Sequence, residues 1–140
     1  MAIPHDIDAR LFFRSAKERL EDAGVLYEAE PKRTTGTVYL AGYSVECVLK
    51  ALILAAEPAA RHEETLDSFR GAKAHSFDWL RDQYQLRTGQ VFPKNIRQDF
   101  RTLNSWGTGL RYVPATFSEK QAIRFLNAAT KFVNWAETRF

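Results

Sequence analysis

Residues Val38–Ala56 read VYLAGYSVECVLKALILAA, a run of apolar and small side chains interrupted in its middle by Glu46 and Lys50. The run is long enough to cross a bilayer. Each of its two central charges would, however, cost roughly 2.5–3.5 kcal/mol there on insertion scales. A helix that is apolar on every side is equally the mark of a segment enclosed by other helices. The stretch therefore predicts the central helix of a soluble bundle, from Thr35 to Ala56, with Pro58 ending it. Glu46 and Lys50 stand at i, i+4 in the order that favours a helical ion pair. On a surface such a pair contributes only about 0.3–0.5 kcal/mol, whereas inside a bundle each charge needs partners. Two readings stay open: a satisfied internal ion pair, or one wall of a polar site between helices.

Outward from this helix the chain keeps a helical rhythm. Asp6 is placed to cap a first helix whose apolar positions are Leu11, Ala16, Leu20, Ala23 and Tyr27, and Pro31 and Gly36 close it. RHEETLDSFRGAKAH (61–75) is polar, predicts a short helix and has Gly71 as its stop. HSFDWLRDQYQL (75–86) predicts a third main helix, with Phe77, Leu80 and Tyr84 on one side and Gly89 breaking it. Pro93 opens a further short helix from Lys94 to about Ser105, its inner face Ile96, Phe100 and Leu103. SWGTGLRYVPAT (105–116) reads as a loop. Ser118 with Gln121 makes a capping-box pattern, and Ala122, Phe125, Leu126, Ala129, Phe132, Val133 and Ala136 follow at helical period. The expectation is one all-α domain over residues 1–140, an antiparallel up-and-down bundle of four to five helices.

Composition agrees. The 140 residues are 45% hydrophobic and 26% charged, and hold only 7 glycines and 5 prolines, which favours helices over strands and turns. The lone Cys47 forms no intramolecular disulfide and suits a reducing, cytoplasmic setting. The opening MAIPHDIDAR has no apolar run behind a basic start, so no secretory signal is expected. Cys47 and the tryptophans Trp79, Trp106 and Trp135 are expected in the core or at an interface. The formal net charge of +3 is unevenly spread: residues 1–60 hold 7 basic and 9 acidic groups, residues 61–140 hold 13 and 8. The excess gathers around Arg87, Lys94, Arg97, Arg101 and Arg111, against the single acid Asp99. Such a patch is either a solvated helix face or a phosphate-binding surface on which Phe92, Trp106 and Tyr112 could stack bases. No phosphate-cradling glycine loop is present, and His5, His62 and His75 lack metal-ligand spacing among themselves, so neither cofactor nor metal is expected.

YLAGYSVECVLKALI (39–53) resembles the second-helix signature of the HEPN domains (higher eukaryotes and prokaryotes nucleotide-binding). SAKERLEDAGVLYE (15–28) resembles that family's first helix. AHSFDWLRDQY (74–84) resembles the segment opening its third, and GLRYVPATFSEKQAIRFLNAATKFVNW (109–135) its Arg-Tyr loop and last helix. The resemblance runs over about residues 10–137. It implies a helical bundle that commonly forms homodimers. Many members are metal-independent ribonuclease toxins paired with a small nucleotidyltransferase antitoxin. Their signature is an Arg followed four to six residues later by a His, near the end of the chain, where the pair can act on a phosphodiester. Here the late Arg111 has no His after it. The one matching spacing is Arg70-Gly-Ala-Lys-Ala-His75, ahead of the third helix.

Three functions follow, the third a purely structural or partner-neutralised component of an operon pair. The first is a binding and dimerisation module for RNA, a nucleotide or a cognate protein, without the usual nuclease site. Its groove residues would be Glu46, Lys50, Lys94, Arg97, Arg101, Arg111 and Tyr112. The second is a ribonuclease using Arg70 and His75, or a set including Arg111 and Glu46.

Overall fold

The structure, a computed structural model, describes residues 4–114 and 116–140; the side chain of Arg111 also lies outside the described set. It is all-helical: α1 (Ile7–Glu28), α2 (Thr34–Ala55), α3 (His62–Ser68), α4 (Phe77–Thr88), α5 (Lys94–Leu103) and α6 (Glu119–Glu137), with no strand among the described residues. Helix boundaries follow local chemistry. The Asp6 carboxylate accepts the Ala9 amide at 3.0 Å and starts α1. Ser118 and Gln121 exchange both bonds of a capping box at the start of α6. Gly89 ends α4 at φ 67°, a left-handed conformation that costs a side-chain-bearing residue but not glycine.

α2 is the axle. Val45, Val48, Leu49, Ile53 and Leu54 have no solvent exposure, because α1, α4 and α6 pack around it. α1 and α2 form an antiparallel hairpin and share the most extensive interface; α6 closes the other side, and α5 leans chiefly on α6. α2 is long and apolar enough by composition to span a membrane, but most of it is buried in the bundle, as a core helix requires.

One expected inward position is corrected. Leu11 is 59% exposed, and the buried stripe of α1 is Ala9, Phe13, Ala16 and Ala23, with Leu20 and Tyr27 packed at its edge. At 100° per residue Leu11 lies about 200° round the helix from Ala9, so a face that buries Ala9 turns Leu11 outward. The segment read as a loop before α6 contains a 3-10 turn, Thr108–Tyr112. Phe92 (1% exposed) and Trp106 (8%) belong to the core and offer no face for stacking bases. Trp106 lies flat against Gly42 of α2, stacks on Phe77 with centroids 5.2 Å apart, and donates its indole N–H to Tyr39 O at 3.0 Å. Only a glycine at position 42 admits the ring: a Cβ there would come within 2.0 Å of the indole nitrogen.

Candidate functional site

Glu46 and Lys50 sit on the enclosed helix, 3% and 6% exposed. Lys50 Nζ donates to Glu46 Oε2 at 2.9 Å, and the ammonium lies 5.4 Å from the centroid of Phe69 and 6.0 Å from that of Phe12. The other carboxylate oxygen is also used: His75 Nδ1 stands 3.0 Å from Glu46 Oε1. A carboxylate only accepts, so Nδ1 carries a proton and donates it, and in the neutral ring the Nε2 lone pair is left available. The His75 side chain is 44% exposed, and Nε2 has no hydrogen-bond partner among the described residues. The stretch AKAH (72–75) forms a 3-10 turn ahead of α4, and the bond to Glu46 sets the ring against α2. The result is one buried carboxylate shared by a buried ammonium and a half-exposed imidazole.

Arg70, the other member of the Arg–His spacing, lies in the turn after α3. Its side chain is 83% exposed and its ion pair is with Asp67 at 3.7 Å. No hydrogen bond or ion pair joins Arg70 to His75 among the described residues.

The second constellation lies between α4 and α5. A cavity of about 520 Å³ is lined by Arg81, Lys94, Arg97 and Arg101, by the single acid Asp82, and by Val91 with the edges of Phe92 and Phe100. Pro93 starts α5 and Ile96, Phe100 and Leu103 bury its inner face, so Lys94, Arg97 and Arg101 are turned outward. These three cations make no ion pair among the described residues. Arg81 is braced by Asp78 at 3.2 Å and Asp82 at 3.1 Å, and its guanidinium lies 5.5 Å from the Phe100 ring centroid. A cavity of similar size, about 490 Å³, is different in character. Its cations Arg61 and Arg87 are matched by Glu57 and Glu64, and Arg87 pairs directly with Glu57. Charge balance leaves it little pull on an anion.

The predicted groove residues thus fall into separate places. Lys94, Arg97 and Arg101 share the α4–α5 groove; Glu46 and Lys50 do not line it, because each is held by the other inside the bundle. Tyr112 is 80% exposed on the 3-10 turn, and the Arg111 side chain lies outside the described set. Sequence reading missed Arg81. Its signal was present in the helix wheel: once Phe77, Leu80 and Tyr84 face inward, Arg81 and Asp82 are left at the rim. Cys47, beside Glu46, is mostly buried; burial, then the neighbouring carboxylate, pushes its thiol up to about 11, which leaves it un-ionised and a poor nucleophile.

The fold and the site together define an all-α bundle with an ion pair on its central helix and a groove of four cations and one acid between α4 and α5. The chain belongs to the HEPN domain family, whose description matches residues 9–139, nearly its whole length. Membership bears out the resemblance carried by Tyr39–Ile53 and the later segments, and makes the chain a helical module of a nucleotide- and RNA-linked family. No curated protein and no solved structure matches the chain.

Proposed function

We propose that this chain is an RNA-binding module that seats single-stranded RNA along the α4–α5 groove, acting as a single domain and as a homodimer in the cytoplasm, within a toxin–antitoxin-type pair. The observation that carries the reading is the groove's charge: four cations against Asp82, three of them unpaired among the described residues. Phosphates spaced along a strand suit that row, because neutralising each one releases counterions. The test is fluorescence anisotropy with a short single-stranded RNA across a salt series. Affinity should fall with salt at about 0.7 log units per log unit for each phosphate held. Replacing both Arg97 and Arg101 with Gln should flatten that slope by about 1.4. A salt-independent affinity, or an unchanged slope in the double variant, would refute the groove. Homodimerisation is checked separately by sedimentation, where the mass of one chain at micromolar concentration would refute it.

A second reading has its own observation. His75, aligned by Glu46 and half-exposed, has the arrangement of a proton-transfer group, which a ribonuclease needs to activate a 2′-hydroxyl. Expression of wild type and His75→Ala in cells, scored by growth and RNA integrity, separates the two. RNA loss that requires His75 supports catalysis, and equal, intact RNA supports the binding module.

A further inference from the structure

His62 opens α3 and is 7% exposed. Its Nε2 is 2.9 Å from the backbone oxygen of Glu57. A carbonyl oxygen can only accept, so Nε2 carries a hydrogen and donates it. In the neutral ring that assignment strips Nδ1 of its proton and leaves a lone pair there. Nδ1 nevertheless stands 3.0 Å from Asp6 Oδ2, another acceptor. The other oxygen of Asp6 is already used, accepting the Ala9 amide at the start of α1. Two lone pairs facing each other at hydrogen-bond distance, around a side chain more than nine-tenths buried, call for a proton or a metal ion between them. Asp8 completes the set: a ligand atom from each of Asp6, Asp8 and His62 lies within 4.8 Å of the other two.

We propose that Asp6, Asp8 and His62 bind a divalent transition-metal ion, zinc foremost, which clips the start of α1 to the start of α3. The geometry bears on this in two ways. Metal-bound imidazoles characteristically donate their other N–H to a backbone carbonyl, which fixes the tautomer, and His62 does so to Glu57. Zinc sits about 2.0–2.1 Å from imidazole nitrogen and about 2.0–2.2 Å from carboxylate oxygen. Two ligands at about 2.1 Å and zinc's tetrahedral angle lie about 3.4 Å apart, so the 3.0 Å Nδ1–Oδ2 separation opens by about 0.4 Å to take the ion. One nitrogen and two carboxylates select a borderline ion over magnesium or calcium, which prefer all-oxygen sets. Asp6 and Asp8 are only partly buried, so water can fill the remaining coordination positions.

The test uses the full chain, stripped with chelator and titrated with zinc chloride. Calorimetry should show one equivalent bound, and the melting temperature should rise by several degrees. Cobalt(II) chloride should give a visible absorption band that zinc displaces. Asp8→Asn leaves the His62–Asp6 contact and the α1 cap in place, and should bind zinc at least tenfold more weakly with an unchanged circular dichroism spectrum. His62→Gln should bind equally poorly. An imidazolium of His62 paired with Asp6 alone predicts no response to zinc, cobalt or manganese, and that outcome overturns the proposal. Zinc binding that persists undiminished in Asp8→Asn, as adventitious capture by the exposed His5 would give, overturns it too.

Discussion

The buried pair on α2 can be taken apart one charge at a time. Glu46→Ala leaves the Lys50 ammonium, with only 7% of its side chain exposed, facing two aromatic rings and no ion-paired acid among the described residues. Removing one partner of a buried pair costs about 3–5 kcal/mol, because the remaining charge is desolvated without compensation. For a chain of this length that corresponds to a fall in melting temperature of roughly 10–15 °C. Lys50→Met should cost less, about 1–3 kcal/mol, since Glu46 keeps the His75 N–H at 3.0 Å. The double variant Glu46→Leu/Lys50→Met removes both charges and fills the space with apolar atoms. It should lie within about 1 kcal/mol of wild type, as apolar replacements of buried ion pairs do. Urea unfolding followed by circular dichroism measures all three variants, and the two single costs, about 4–8 kcal/mol together, should far exceed that of the double variant. A Glu46→Ala cost below about 1 kcal/mol would refute the burial argument. So would a double variant less stable than Glu46→Ala.

Four more outcomes are expected. Gly42→Ala should destabilise by roughly 1–3 kcal/mol, since a Cβ 2.0 Å from the Trp106 indole forces the ring off α2. Gly24→Ala, whose Cβ meets nothing within 4 Å, should instead stabilise by up to about 1 kcal/mol, and thermal melts with tryptophan fluorescence distinguish the two. The Cys47 thiol, raised from 9.0 to about 11, should react with a disulfide reagent at pH 8 about 100-fold more slowly than the unfolded chain. The sign is that of an acid whose charged form is disfavoured: raising the pH toward 11 should speed the reaction in the folded protein. Ser118→Ala should cost about 1 kcal/mol in chemical denaturation by opening the capping box of α6.

What the sequence discloses is mostly local. The axle, the caps at Asp6 and Ser118 and the outward row Lys94, Arg97 and Arg101 follow from periodicity and end chemistry. Leu11 shows where periodicity misleads: an apolar residue two positions from the buried Ala9 looks like part of the stripe until the partner helix fixes the phase. The missing pieces are long-range. Glu46 and His75 are joined across 29 positions, and the α1–α2 hairpin folds back to bring Asp6 and His62 to its same open end. The spacing that pairs Arg70 with His75 works the other way: close along the chain, they have no bond between them among the described residues. Spacing along a chain reports chemistry only where one element carries both groups.

α5 rests chiefly on α6, while α2 is gripped by α1, α4 and α6. The three groove cations without an ion pair among the described residues therefore ride on a helix one layer removed from the axle. The charge of that face can be rewritten almost freely, by exchanging outward side chains of α5, with the molecule's rigidity left in the keeping of a different set of residues.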